Sequence, residues 1–352
     1  MIRVVVFRRD LDECRGATGI DGGIQMQRRE FITLVGAAVL WPSAARAEKA
    51  KPVIAILGSG AADASSSKML MSMLDASMRE LGLSQGQDYV FETRWAGSDA
   101  SRFSPLAAEL LAGRPSALVV STILAAIAVQ KLSRTVPIVG TGLNAPVATG
   151  LAASLAHPGA NITGVATMAE DIQLKLFGMM RETLPGVRRV LVITNPTNPS
   201  LQSMLDLLTN RAAKDGLAID VVNVRAPADL DAAFAEMSRQ QPGAVFVQSD
   251  SSLSALADLI VARALALRIP TIGTFGTVFA RAGALSAYSY DPRDAIRGVA
   301  RLLKKILEGA NPSELPFEQP TKFNLSINLK TAKALGIEIP PTLLAIADEV
   351  IE

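Results

Sequence analysis

The chain has 352 residues, with 35 Lys and Arg against 33 Asp and Glu and a formal net charge of +2. So even a balance leaves no basic field for nucleic acid. The single cysteine, Cys14, excludes an internal disulfide and a cysteine-based metal cluster.

The first feature in chain order is a targeting segment. Gln27-Arg28-Arg29-Glu30-Phe31-Ile32-Thr33 precedes the apolar run 34–41 and then Ala45-Arg46-Ala47. A basic n-region, a short apolar h-region and a small-x-small cleavage site make a secretory signal, and the paired arginines favour twin-arginine export. The run is too short to span a bilayer, which takes about twenty apolar residues. We therefore expect residues 1–25 to be an extension ahead of the true start at Met26, and 26–47 to be a signal peptide cleaved after Ala47. The mature protein is expected in the periplasm, with no membrane span.

From Lys51 onward, short apolar runs alternate with longer helical patterns, the signature of βαβ units and parallel sheets. In the first half the pattern predicts strands over 53–57, 89–94, 117–120 and 137–139, and helices over 66–81, 101–112 and 124–132. The second half repeats the order. Strands are predicted over 189–193, 218–224, 244–247 and 270–272, with helices over 199–215, 228–240 and 253–267.

The residues echo one another too: Ala117-Leu118-Val119-Val120 answers Ala244-Val245-Phe246-Val247, and Pro137-Ile138-Val139-Gly140-Thr141 answers Pro270-Thr271-Ile272-Gly273-Thr274. The fold class expected is α/β: two doubly wound parallel-sheet lobes joined by a hinge of about three crossovers. Lobe 1 is expected to take residues 51–144 plus about 291–321. Lobe 2 would take about 163–286 plus about 322–352, the last part closing the hinge. Ala145–Thr167, rich in Gly, Pro and Thr, reads as the first crossover. A second is expected after a strand over 284–290, where a helix over 295–308 returns to lobe 1, and a third over 322–329. The closing elements are a helix over 329–335 and one beginning at Pro340-Pro341.

In open α/β sheets, ligands gather outside the carboxyl ends of the strands. The loops there are rich in hydroxyls, amides and glycines, and they carry one acid. The candidate ligand-binding residues are Ser59, Gly60, Ser121, Thr122, Gly142 and Asn144 from the first half, and Asn195, Asn198, Ser249, Asp250, Phe275 and Tyr290 from the second. Neutral donors suit a carboxylate or hydroxyl, and Asp250 suits an ammonium group through a charge-assisted contact. Each polar residue also has a local reading. Ser59, Ser121, Thr197 and Asp250 are helix-cap types, and Asn195 and Asn198 are turn formers. Core packing is expected of Trp95 and Phe279, whereas Phe275 and Tyr290 are assigned to the cleft.

Enzyme signatures are missing. His157, the only histidine, sits in the turn Ala156-His157-Pro158-Gly159 without an acid or second ligand at useful spacing. Gly58-Ser59-Gly60 opens like a dinucleotide fingerprint, but Asp63 stands where the next glycine belongs. No catalytic residue and no cofactor are expected.

The leader motif, Pro146-Val147-Ala148-Thr149-Gly150-Leu151, His157-Pro158-Gly159-Ala160-Asn161-Ile162-Thr163-Gly164, Gln319-Pro320-Thr321-Lys322-Phe323 and Asn328-Leu329-Lys330-Thr331-Ala332-Lys333-Ala334-Leu335-Gly336 together resemble the ABC transporter substrate-binding proteins of the uncharacterised and tryptophan-type subgroup. The resemblance covers the chain from Met26. It implies the type I periplasmic binding fold and an amino-acid-like or similarly small polar ligand, delivered to an ABC permease with its ATPase. Many relatives carry an acid before Pro146, where this chain has Asn144-Ala145, and bulky aromatics after Asp250, where it has Ser251-Ser252. A ligand-sensor subunit coupled to a membrane receptor or kinase is the alternative function on the same fold.

Overall fold

The structure is a computed structural model and describes residues 50–352. The expected leader, its cleavage site and Cys14 lie outside the described residues. Among the described residues, no helix is long and apolar enough to cross a membrane.

The first lobe is built from β1 (Val53–Gly58), α1 (Ser65–Glu80), β2 (Val90–Trp95), a 3-10 turn (Ala100–Arg102), α2 (Phe103–Ala112), β3 (Ala117–Val120), α3 (Ile123–Leu132), β4 (Ile138–Leu143) and β5 (Ile162–Ala166). Its five-stranded sheet runs β2-β1-β3-β4-β5, parallel throughout. β1 and β3 are buried along nearly their whole length, which is why they read as unbroken apolar runs rather than alternating ones. Ala55, Leu57, Leu118 and Val120 face Phe103, Leu106 and Leu110 of α2. On the other face, Ile54, Ile56, Val119 and Val139 pack with Leu74 and Met78 of α1.

The second lobe follows with α4 (Ala169–Thr183), β6 (Arg189–Thr194), α5 (Ser200–Lys214), β7 (Ala218–Asn223), α6 (Asp229–Gln240), β8 (Ala244–Val247), α7 (Ser251–Ala255), α8 (Ala257–Ala266), β9 (Thr271–Gly273), α9 (Gly276–Ala282) and β10 (Ser286–Tyr290). The chain then returns to lobe 1 as α10 (Pro292–Leu307). Asp291 caps α10 by accepting from the Arg293 N–H at 2.8 Å, with Pro292 in the first turn. Ile296, Val299, Leu303 and Ile306 recur at helical spacing and fill the lobe 1 core beside Ile54 and Val119. The chain ends in lobe 2 with β11 (Phe323–Asn328), α11 (Leu329–Leu335), α12 (Pro341–Ala345) and β12 (Glu349–Ile351). The seven-stranded sheet runs β12-β11-β10-β9-β8-β6-β7.

Four expectations change. The first sheet continues to Ala166, so 145–167 is not all crossover and the boundary near 163 falls inside a strand. β5 is hard to see in sequence because Gly164 interrupts it. The glycine is required, since a Cβ there would lie 2.5 Å from the Gly140 backbone. The second sheet is mixed, because β11 runs antiparallel to β10. The predicted helix over 253–267 is two helices broken at Leu256. Finally α4, unassigned in sequence, buries Ile172, Leu176, Phe177 and Met180 at helical spacing.

Three connections join the lobes, and they lie side by side. Thr167 and Met168 link β5 to α4, Asp291 links β10 to α10, and 319–322 lead into β11. The Asp291 N–H donates to Lys322 O at 2.8 Å, and the Ala166 N–H to Glu318 O at 2.9 Å. Asp294 accepts from the Thr321 N–H at 2.7 Å and from its hydroxyl at 3.0 Å. Closely bundled connections of this kind confine lobe movement to a hinge.

Candidate functional site

The carboxyl ends of both sheets open onto one cleft of about 720 Å³, a size typical of small-molecule sites. Every sequence-predicted site residue lines it except Asn195. Ser59, Gly60, Ser121, Thr122, Gly142 and Asn144 contribute the lobe 1 wall. Asn198, Ser249, Asp250 and Phe275 contribute the lobe 2 wall, and Tyr290 stands at the second connection.

In the lobe 1 wall, the Ser121 and Thr122 hydroxyls each accept a backbone hydrogen bond. Ser121 Oγ accepts from the Ser59 N–H at 2.9 Å, and Thr122 Oγ1 caps α3 by accepting from the Ala125 N–H at 3.2 Å. α1 starts at Ser65-Ser66-Ser67 on the same wall, with no side-chain cap and no acid in its first turn. Its unpaired N–H groups and positive dipole end favour negative charge. The sequence reading did not single out these serines.

The lobe 2 wall is organised around Asp250, which is 5% exposed. Its Oδ1 caps α7 by accepting from the Ser252 and Leu253 N–H groups at 2.9 and 3.1 Å. Asn195 Nδ2 donates to Oδ1 at 3.3 Å, and Asn198 Nδ2 donates to Oδ2 at 2.8 Å. The two asparagines are held in turn by local bonds: Asn195 Oδ1 accepts from the Thr197 N–H and Asn198 Oδ1 from the Ser200 N–H, both at 3.1 Å. Asp250 thus caps a helix, as its local reading has it, and it also borders the cleft. Asn195 is corrected from cleft wall to support. It lies behind Asp250, buried and donating to Oδ1.

Trp95 is the second correction. Its indole borders the cleft instead of filling the core, and it covers Gly58 on the neighbouring strand, where β1 and β2 pair in register. Phe279 is fully buried, as expected. Tyr290 directs its hydroxyl toward Gly142, where an added Cβ would come within 2.7 Å of it. Burial pushes the Tyr290 phenol up to about 12, so at neutral pH it is a hydrogen-bond donor and not a charge.

The electrostatic character of the cleft is one-sided. Asp250 and Asp258 are the acids among the described lining residues, and no Lys, Arg or His joins them. No cation among the described residues pairs with Asp250.

Residues 61–351 match the family model described as ABC transporter substrate binding protein. The chain belongs to that family. Its members bind solutes and are not enzymes. The tyrosine-binding protein of Clostridioides difficile (strain R20291) is 21% identical over 263 residues, 74% of each chain. Among solved structures, a conserved domain protein from Vibrio cholerae superposes with a TM-score of 0.79 at 24% identity, covering 85% of this chain and 99% of that one. An ABC domain from Streptococcus pneumonia in complex with L-Trp gives 0.78 at 20% identity, covering 86% and 100%. This substrate-binding protein thus has the type I periplasmic binding fold.

Proposed function

We propose that this substrate-binding protein captures an amino acid in the interlobe cleft, outside the cytoplasm, and delivers it to an ABC permease. The observation that carries the reading is Asp250: a buried carboxylate at the cleft, held by neutral donors alone, in a lining without a base. A ligand ammonium supplies the missing countercharge, and a charge-assisted bond is about twice as strong as a neutral one. The opposite wall suits the ligand carboxylate, with the hydroxyls of Ser121 and Thr122, the Tyr290 phenol and the start of α1 as donors. An α-amino acid therefore lies across the cleft, its ammonium toward lobe 2 and its carboxylate toward lobe 1. Contact with both walls favours the closed arrangement, because only differential affinity shifts the population. The names of the tyrosine-binding relative and of the L-Trp complex support the amino-acid class. Export rests on the leader motif at Arg28-Arg29.

The test is calorimetric titration with a panel of L-amino acids, their N-acetyl derivatives, dicarboxylates and sugars. Binding of one or more amino acids is expected, with loss on N-acetylation and about a tenfold or greater loss in Asp250→Asn. Binding of a dicarboxylate or a sugar with no response to any amino acid would overturn the reading.

A further inference from the structure

Across the cleft, Asn144 at the end of β4 donates from Nδ2 to the carbonyl oxygen of Ser249 at 3.0 Å. This bond joins the lobes directly, beside the first connection. The amide has a fixed orientation, because the buried Thr167 hydroxyl donates to Asn144 Oδ1. Thr167 belongs to the first connection, so one half-buried side chain links the hinge to the far wall. Ser249 immediately precedes Asp250, whose Oδ1 accepts the Ser252 and Leu253 N–H groups.

We propose that Asn144 is a positioning residue: its amide latches the lobes together without ligand and holds the loop that carries Asp250. The bond exists only while the lobes are closed, since its donor and acceptor belong to different lobes. Removing it leaves the Ser249 carbonyl without that partner and frees the 248–252 loop to move with lobe 2. Asn144→Asp is the more severe change, because it places a carboxylate against a carbonyl oxygen and beside Asp250. The proposal deepens the reading of Asp250 as the ammonium anchor, yet neither measurement below uses a ligand. A chain that binds no amino acid would overturn that reading and leave this one standing.

Two measurements on the ligand-free protein test it. Small-angle scattering is expected to show a larger radius of gyration for Asn144→Ala than for the native chain, and a larger one again for Asn144→Asp. Hydrogen–deuterium exchange is expected to be about three- to tenfold faster at the Ser252 and Leu253 amides in Asn144→Ala, the factor for one neutral hydrogen bond. Thr167→Val keeps Asn144 and the side-chain shape while removing the orienting hydroxyl. It is expected to shift both readings the same way by less, and it replaces Asn144→Ala should that variant not fold. A native value in either measurement overturns the proposal.

Discussion

The indole of Trp95 covers Gly58 on the adjacent strand so closely that a Cβ there would meet its ring carbons at 2.1 Å. Gly58→Ala therefore cannot be accommodated without moving the indole. Overpacking of this kind costs about 1–3 kcal/mol, and the displaced ring enters the cleft. The variant is expected to melt lower and to bind ligand more weakly, both read by calorimetry. Trp95 is also the one tryptophan of the two that lies in the described residues. In protein starting at Glu48, its fluorescence is expected to change on ligand addition, and the change should vanish in Trp95→Phe.

Asp250 has separable structural and electrostatic roles. Asparagine is an equally good N-cap, but its amide nitrogen would stand where Oδ2 accepts from Asn198 Nδ2, so Asp250→Asn is expected to keep the cap and lose that one bond. Asp250→Ala removes the cap and strands the Asn195 and Asn198 amide donors. A lost cap costs about 1 kcal/mol, and each unsatisfied buried donor about 1–3 kcal/mol. Thermal melts are expected to rank the native chain first, Asp250→Asn next and Asp250→Ala lowest.

Ala145, beside the latch residue, has φ of 45°. A side chain with Cβ is strained there by roughly 1 kcal/mol, whereas glycine is not. Ala145→Gly is accordingly expected to raise Tm by about 2 °C, unlike a typical glycine substitution. A fall in Tm would mean that the Ala145 methyl group contributes more than its backbone costs.

Asp294 fastens the third connection, and its hydrogen bond from the Thr321 N–H holds the carboxyl below the usual carboxylate range. A carboxylate with a depressed folded pKa contributes stability above its unfolded pKa of about 3.9. That contribution is lost as pH falls through the lower folded value. The gap in Tm between the native chain and Asp294→Ala should therefore be widest near neutral pH and shrink below about pH 4. The same gap at pH 3 and pH 7 would exclude this role.

Much of this was legible in the chain. Buried parallel strands such as Ala117–Val120 read as apolar runs because both faces are covered, and the strand-end rule led from those runs to the cleft residues. Strand β5 escaped because Gly164, needed for its contact with Gly140, resembles a breaker in sequence. Helix α4 carried a readable period at Ile172, Leu176, Phe177 and Met180, and that signal could have found it. The α1 serines were passed over because an uncapped helix start shows no motif.

Local chemistry along the chain was enough to set the alternation of strands and helices, the repeat between halves, the leader motif and the hydroxyl-rich strand ends, since each depends on residues a few positions apart. What depends on distant residues had to come from the tertiary structure. Only folding brings Asn195 and Asn198 onto Asp250, lays Trp95 over Gly58, and carries Asn144 to Ser249, 105 positions away. Those contacts decide which candidates face the cleft and which stand behind it, because the side of a residue left open is set by what distant segments pack against it.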